Sequence, residues 1–180
     1  RPQIQLLAQE DTICVGGDIN LSVNLSNYSI SEQYTYQWYT SDTATIHAIN
    51  GATLPNYHTI PTTSGSYTYW LLVDNYAVQA PNTARVRCEA AEAITINVVA
   101  DPVISVAISQ DTICEGGEVI LTSSITSGGV TGGEVYTWYK NNVIIPGAVS
   151  AVLTDYPVTV DGNITNYIYR VEVAQTASGC

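Results

Sequence analysis

The 180-residue chain contains no Met and no Phe, and only five of its residues are Lys or Arg. With 16 acidic residues its net charge is −11, which repels nucleic acid and anionic membranes, and the basic residues form no patch. No apolar run approaches the roughly 20 residues that a membrane-spanning helix needs. We therefore expect neither nucleic-acid binding nor membrane insertion.

Motifs for catalysis and for metal binding are missing as well. The chain has no Cys-x-x-Cys pair, and its two histidines, His47 and His58, lie far in sequence from any cysteine, which argues against zinc. Neither histidine adjoins a nucleophile motif, and the glycine-rich "SGGVTGG" lacks the Lys of a phosphate-binding loop. We therefore predict a protein that is not an enzyme and needs no cofactor.

Calcium is the one metal that the composition keeps open, because carboxylates gather near two turns and Ca²⁺ prefers oxygen ligands. Their spacing follows no ordered ligand pattern, so solvated turns are the simpler interpretation. The residues concerned are Glu10, Asp11 and Asp18 near one turn, and Asp111, Glu115 and Glu118 near the other.

A long internal repeat dominates what the sequence does contain. "DTICVGG" from Asp11 returns as "DTICEGG" from Asp111, "YQWY" returns as "YTWY", and "YTYWLLV" returns as "YIYRVEV". So many matches in the same order indicate a duplicated domain. We predict two domains, residues 1–100 and 101–180, joined at "VVADPVI" without a Gly/Ser spacer, an arrangement that favours a stiff, end-to-end array.

Each copy is a series of short strand patterns separated by turn residues, in a composition rich in Tyr, Thr, Val and Ile. Alternation with period two places Trp38 and Trp138 on the inward face of the third strand. Tyr67 and Tyr167 start the sixth strand, where a tyrosine corner is expected. We predict an all-β protein of two tandem immunoglobulin-like β-sandwich domains. The second copy reaches Cys180 before any seventh strand, so this sandwich is expected to lack its last strand, through truncation or because a strand from elsewhere fills the place.

Four cysteines in an acidic all-β chain favour an oxidising, extracellular compartment. In the predicted sandwich Cys14 lies at the bottom and Cys88 and Cys180 lie at the top, too far apart for a bridge within one domain. We expect a Cys14–Cys180 bridge between the domains, with Cys88 and Cys114 joined to flanking repeats. The pairs Cys14–Cys88 and Cys114–Cys180 remain the alternative, because strand boundaries inferred from sequence are inexact.

One outward face differs between the copies. Tyr39, Trp70 and Leu72 are expected to form an apolar contact patch on the first domain, whereas Arg170 and Glu172 replace the last two in the second. The first domain also carries a longer loop, "DNYAVQAPNTARVR", which is expected to extend the hairpin of its last two strands. That loop is either a binding element or the cover of the patch.

The motifs "ICEGGEVIL", "YTWY", "IPGA", "YIYRVEV" and the terminal "SGC" resemble the immunoglobulin-like repeats of large secreted surface proteins of the Bacteroidota, including gliding-motility adhesins. The resemblance implies export to the bacterial cell surface, often by type IX secretion, and a stalk or adhesin role. It also implies O-glycosylation at Asp-Thr followed by a small or apolar residue, which fits Thr12, Thr43 and Thr112. The alternative for these threonines is a turn cap.

The expected function is that of a non-catalytic structural repeat of an extracellular adhesin or filament, which supplies stiffness, spacing and display. The expected partners are neighbouring immunoglobulin-like repeats of the same chain or filament, and a surface glycan or protein. One alternative is a carbohydrate- or protein-binding module that acts through the Trp70 patch and the neighbouring hairpin. The other alternative is an accessory spacer domain of a secreted enzyme.

Overall fold

A computed structural model of the chain describes residues 3–26, 33–41, 45–76, 87–130, 132–160 and 162–176. Every regular element in these ranges is a β-strand, which confirms the all-β class. Within the same ranges, no helix is long and apolar enough to cross a membrane. The chain divides into two compact units, unit 1 (Arg1–Val99) and unit 2 (Ala100–Cys180).

Unit 1 is built from two β-sheets. The first sheet contains β1 (Gln3–Ala8), β3 (Ile19–Ser26) and β6 (Asn56–Thr59), paired antiparallel in the order β1-β3-β6. The second contains β2 (Thr12–Cys14), β4 (Gln33–Ser41), β5 (Ile46–Ala48), β7 (Gly65–Tyr76) and β8 (Arg87–Val99), in the order β2-β8-β7-β4-β5. Period-two alternation turns one face of each sheet towards a shared core.

The core of unit 1 centres on Trp38, whose side chain is fully buried. Leu71 packs in the same cluster from β7, and Ile96 joins it from β8. The indole N–H of Trp38 donates a hydrogen bond of 2.9 Å to the carbonyl of Leu54. The ring is therefore buried without leaving its one polar group unpaired, a condition that a core tryptophan must meet.

Unit 2 repeats this design with fewer strands. One sheet contains β9 (Val103–Ile108), β10 (Val119–Ser127) and β13 (Val152–Asp155), in the order β13-β10-β9. The other contains β11 (Glu134–Lys140), β12 (Val143–Ile144) and β14 (Tyr169–Gln175), in the order β12-β11-β14. Trp138 is fully buried between the sheets, and its indole N–H donates to the carbonyl of Ser150 at 2.8 Å.

Two further features identify each unit as an immunoglobulin-like sandwich. Both predicted tyrosine corners are present: the hydroxyl of Tyr67 donates to the carbonyl of Thr63 at 2.8 Å, and that of Tyr167 donates to Val158 at 2.6 Å. Each unit also places its tryptophan strand beside the strand that follows the corner. The prediction of immunoglobulin-like β-sandwich domains is therefore confirmed. Among the described residues of unit 2, no strand occupies the place that β8 takes beside β7.

The duplicated Gly-Gly string encodes a turn. Gly16 has a φ of 82° and Gly116 a φ of 72°, in the left-handed region that residues with a side chain rarely adopt. The N–H of Gly16 donates to the carbonyl of Pro61, and the N–H of Gly116 donates to that of Pro157, each at 2.9 Å. The turn that leads into β3 is thus fixed in the same way as the turn that leads into β10.

The last strand of unit 1 makes a contact that the sequence analysis did not predict. The segment "RCEAAEAITINVV", whose first residues have helix-forming character, is one long strand, β8. Besides its antiparallel pairing with β7, it pairs in parallel with β2. The N–H of Asn97 donates to the carbonyl of Asp11 at 2.8 Å, and the N–H of Val15 donates to that of Val99 at 3.0 Å.

A buried hydroxyl gives a stability prediction for unit 2. Ser123 takes the position in β10 that Val23 takes in β3, is 4% exposed, and has no hydrogen-bond partner for its hydroxyl in the described part of the chain. An unsatisfied buried hydroxyl costs about 1–3 kcal/mol. We therefore expect Ser123→Val to raise the urea midpoint at which unit 2 unfolds.

The reciprocal change Val23→Ser serves as the matched control, and it should lower the midpoint of unit 1. The measurement is tryptophan fluorescence during equilibrium unfolding. A Ser123→Val protein that is less stable than the original would show that the hydroxyl contributes to the fold.

Candidate contact surface

The outer face of the five-stranded sheet of unit 1 carries a row of apolar side chains. Tyr39 of β4 lies directly opposite Trp70 of β7. Ala48 of β5 lies opposite Tyr39 on one side, and Ala93 of β8 lies opposite Trp70 on the other. Two aromatic residues flanked by two alanines thus form one row across four strands, which we call the aromatic row.

The three residues of the predicted patch, Tyr39, Trp70 and Leu72, lie on this face, and each is half-buried. On β8 the outward Ala91 and Ala93 are exposed and stand opposite Leu72 and Trp70. The aromatic row therefore presents a limited apolar area. Residues 77–86 of the loop expected to extend this hairpin or to cover the patch lie outside the described part of the chain, and β7 and β8 remain paired up to Tyr76 and Arg87.

The equivalent row in unit 2 is polar and internally paired. Arg170 lies opposite Tyr139, and its guanidinium carbon is 3.9 Å from the centroid of the Tyr139 ring. The Tyr139 hydroxyl donates to a carboxylate oxygen of Glu172 at 2.7 Å, and Arg170 forms an ion pair with the same carboxylate. The hydrogen bond to Glu172 raises the pKa of Tyr139, and the same bond lowers the pKa of Glu172. These charged groups satisfy one another, so only unit 1 retains an apolar row.

Sequence reasoning missed a charged cluster at the edge of the unit 2 core. Lys140 Nζ lies 2.7 Å from Asp155 Oδ2, and the same carboxylate oxygen accepts a hydrogen bond from the hydroxyl of Tyr169. The ammonium group of Lys140 also lies 4.2 Å from the centroid of the Tyr167 ring. Unit 1 has Thr40 at the position of Lys140, so this cluster belongs to unit 2 alone.

The cluster shifts two pKa values. Burial of Asp155 acts to raise its pKa, but the hydrogen bonds from Lys140, Tyr169 and the backbone N–H of Tyr156 outweigh burial, so the pKa lies below its ordinary value. Burial and the hydrogen bond to Asp155 together raise the pKa of Tyr169 far above its ordinary value. In unit 1 the corresponding Tyr69 has its pKa raised to about 12, mainly by burial.

Glu92 is another residue whose role the sequence analysis missed. Its carboxylate accepts a hydrogen bond of 3.1 Å from the backbone N–H of Leu6, and so connects β8 with β1 in the facing sheet. The signal was present in the sequence, because Glu92 shares the inward phase of Ile94, Ile96 and Val98. An acid in that phase must find a buried donor or water.

The two histidines, and the side chains that could hold a metal ion, can now be placed in the structure. His58 Nε2 lies 2.7 Å from Asp18 Oδ1, and both side chains are more than half exposed, so this is a surface pair. His47 is exposed on β5. Within the described ranges, no three His, Cys, Asp or Glu side chains gather in a way that could hold a metal ion, calcium included.

The backbone restricts the cysteine pairings. Cys14 is buried at the end of β2 and lies beside Val99, whereas Cys88 lies beside Asn75 at the other end of β8. Eleven residues of strand separate Cys88 from Val99, about 36 Å at about 3.3 Å per residue, whereas a disulfide needs Cα atoms within about 7 Å. This register argues against a Cys14–Cys88 bridge.

The remaining cysteine pairings stay predictions. Cys114 is an exposed free thiol, so the alternative Cys114–Cys180 pair is not formed in the structure. Cys180 itself lies outside the described residues. The bridge between Cys14 and Cys180 stays a prediction.

The candidate glycosylation sites differ in their surroundings. Thr12 is half-buried in β2, and its hydroxyl donates to a carboxylate oxygen of Asp11 at 3.1 Å, the bond expected of a turn cap. Thr112 is exposed and lies outside any strand, so its hydroxyl is the more accessible of the two. Thr43 lies outside the described residues.

No protein-family model matches the chain, and no curated protein matches it significantly in sequence. Among solved structures, murine CEACAM1b is similar at 14% identity and a TM-score of 0.42, over 98% of this chain and 94% of the other. The three N-terminal domains of the bacteriophage RB49 outer capsid protein Hoc give 14% identity and a TM-score of 0.49, over 98% of this chain and 55% of the other.

A third similar structure contains fibronectin(III)-like modules of CbhA from Clostridium thermocellum, at 14% identity and a TM-score of 0.40, over 97% of this chain and 88% of the other. Likeness at this level does not transfer a function. The assignment of an immunoglobulin-like fold therefore depends on the strand order, the buried tryptophans and the tyrosine corners.

The Asp155 cluster predicts how the stability of unit 2 depends on pH. Because the pKa of Asp155 is lower in the folded protein than in the unfolded chain, its contribution is present above the unfolded pKa near 4 and is lost as pH falls through the folded pKa. Asp155→Asn removes hydrogen bonds to a charged group worth about 2 kcal/mol. We expect Asp155→Asn to destabilise unit 2 at pH 7 and to flatten the acid dependence of its urea midpoint.

The matched control is Thr59→Asn, the equivalent position of unit 1, which should leave the acid dependence of unit 2 unchanged. If Asp155→Asn loses as much stability between pH 5 and pH 2 as the original protein, other carboxylates control the acid response.

Proposed function

We propose that this chain is a non-catalytic structural repeat of an extracellular surface protein, where it spaces and displays other parts of an adhesin or filament. The observation that carries the proposal is the short connection between two copies of one sandwich. Strand β8 ends at Val99 and β9 begins at Val103, so three residues join the units. The first of them, Ala100, accepts a hydrogen bond of 2.7 Å from the N–H of Gly129 within unit 2. A connection this short, without Gly or Ser, supports a stiff array.

The surface location and the type of protein remain part of the proposal. They are supported by the acidic all-β composition with four cysteines and by the resemblance to repeats of Bacteroidota surface proteins, including gliding-motility adhesins. Export by type IX secretion, O-glycosylation at Thr112 and a Cys14–Cys180 bridge belong to the same proposal. The proposed partners are neighbouring repeats of the same chain or filament.

The pairing of β2 with β8 suits unit 1 to a mechanical role. These strands run parallel, β2 follows directly after the N-terminal β1, and β8 ends at the C-terminal limit of the unit. A pull on the two ends of unit 1 therefore draws β2 and β8 in opposite directions along their own axes. Their hydrogen bonds are loaded together in shear, so they cannot break one at a time.

Unit 2 has no such pair among its described residues, and this difference predicts two unfolding forces within one chain. Stretching should lengthen the molecule by up to roughly 350 Å when unit 1 opens and roughly 290 Å when unit 2 opens, at about 3.6 Å per residue. We expect the longer increment to occur at the higher force, measured by single-molecule force spectroscopy on tandem copies of the chain.

Val15→Pro tests the cause of the difference, because proline removes the N–H that donates to Val99. The variant should lower the force of the longer increment only. Glu115→Pro, at the matching position of unit 2, should change neither force. Equal forces for the two units in the original protein would contradict the proposed mechanical role of the strand pair.

A second function, binding of a surface glycan or protein, is favoured by the aromatic row of unit 1. Aromatic side chains supply most of the contact energy in many binding sites, and an apolar row that only one copy retains is a feature that spacing alone does not need. The double change Trp70→Arg and Leu72→Glu gives unit 1 the residues of unit 2. We expect it to abolish any binding detected on a glycan array or on cells.

The control for this double change places the same charges on the opposite sheet, as Asn20→Arg and Asn24→Glu on β3. Both variants should keep the urea midpoint of the original chain. Binding that survives the change at Trp70 and Leu72 would assign the contact to another surface, and the absence of any binding would leave the spacing role alone.

A further inference from the structure

The tripeptide Asn-x-Ser/Thr, which is the acceptor motif for N-linked glycans, occurs four times in the chain. A motif this short also recurs by chance, so the surroundings of each copy decide whether it is usable. A usable copy lies in an exposed loop of a secreted protein. The four copies begin at Asn20, Asn24, Asn27 and Asn163.

The two described copies in unit 1 lie inside strand β3. Asn20 is paired with His58 of β6, and Asn24 is paired with Gln5 of β1. Both asparagines are exposed, but their backbone is held in the sheet. Neither tripeptide can therefore bend into the active site of a transferase without breaking strand pairing. Asn27 lies outside the described residues.

The copy in unit 2 lies in the connection between β13 and β14. Among the described residues of this connection, the only strand-like pairing is a single bridge between Val160 and Asn163. Asn163 is exposed, and the following Ile164 is 94% exposed, more than any other large apolar side chain in the described ranges. The tripeptide therefore protrudes from the surface. The matching connection of unit 1, residues 60–64, contains no Asn.

Hydrogen bonds within the connection hold the tripeptide outside both sheets. The hydroxyl of Thr165 donates to the carbonyl of Asn163 at 3.3 Å and accepts a hydrogen bond of 3.0 Å from the N–H of Val160. The hydroxyl of Tyr167, bonded to the carbonyl of Val158, closes the base of the loop. These contacts use no atom of the sheets' own ladders, so a group attached at Asn163 would displace no strand.

The same connection exposes branched aliphatic side chains to solvent. Val160 is 60% exposed and Ile168 is 71% exposed, in addition to Ile164. Exposed apolar side chains that lie close together favour association between molecules. An N-linked glycan is bulky and solubilising, and one attached at Asn163 would begin beside these side chains. A glycan at this position would therefore shield the apolar tip of the loop.

We propose that Asn163 is the acceptor for an N-linked glycan, transferred from a lipid-linked oligosaccharide. The side-chain nitrogen Nδ2 bonds to the anomeric carbon of the first sugar, while the bond from that carbon to the lipid diphosphate breaks. The diphosphate leaves with the electron pair of the broken bond, and the amide gives up one proton to a base of the transferase. The inference rests on the extracellular location proposed above, because this transfer takes place on exported chains.

The first test supplies the complete, folded chain with a lipid-linked oligosaccharide and an oligosaccharyltransferase that accepts folded proteins. We expect the intact mass to rise by one oligosaccharide, and peptide mass spectrometry to place it on Asn163. Asn163→Gln should abolish the increase. Asn166→Gln is the matched control, because Asn166 is exposed in the same loop and begins no acceptor tripeptide, and it should leave the increase unchanged.

Substitutions at Thr165 test whether the tripeptide itself is recognised. Thr165→Ser keeps the hydroxyl and should keep the mass increase, whereas Thr165→Ala should lose it although Asn163 is still present. The urea midpoint of each variant shows whether unit 2 remains folded. A glycan on Asn20 or Asn24 instead of Asn163, no mass increase in the original chain, or full modification of a folded Thr165→Ala protein would overturn the assignment.

The second test uses the native protein, isolated from the cells that produce it. Peptide mass spectrometry should find a glycan on Asn163, and protease added to intact cells should cleave the protein. Unmodified Asn163 in a protein that the protease cleaves would overturn the inference and leave the proposed surface location intact. A protein that the protease cannot reach would contradict that location, and an unmodified Asn163 in it would overturn the inference as well.

Discussion

Each unit depends on burying one indole ring completely while its N–H keeps a hydrogen-bond partner. Trp38 and Trp138 lie between the two sheets of their own unit, and each donates to a backbone carbonyl in the stretch that leads into the next strand, Leu54 in one copy and Ser150 in the other. The hydrogen bond fixes the ring relative to that stretch, and the ring in turn fixes the spacing of the strands around it. The same interaction survives although the residues that accept the bond have different side chains, because only their backbone oxygen is used.

Much of this architecture could be predicted because the pattern that encodes it is local and occurs twice. Period two identified the inward faces of the strands, the Gly-Gly string identified a turn that needs a left-handed residue, and the repeated "YxWY" located the core tryptophan. The tyrosine corners followed from the place of Tyr67 and Tyr167 at the head of a strand. Each of these signals lies within a few residues of the feature that it specifies, and agreement between the copies separated them from chance.

Features that join distant segments could not be predicted in the same way. The parallel pairing of β2 with β8 links residues more than 80 positions apart, and no pattern in "TIC" distinguishes it from a loop. The ion pair of Lys140 with Asp155 needs the ends of two strands to meet, and its residues have no counterpart in the first copy to draw attention to them. The exposure of the aromatic row could not be predicted either, because alternation says which face a residue occupies and not how much its neighbours cover it.

The two tyrosine corners span unlike lengths of chain. In one copy the hydroxyl reaches back four residues, to Thr63, and in the other it reaches back nine, to Val158. The same phenol–carbonyl hydrogen bond therefore forms although the number of residues that it encloses differs. A difference in length within the enclosed segment is absorbed before it reaches the sheet, so this connection can differ in length between the two copies of the domain.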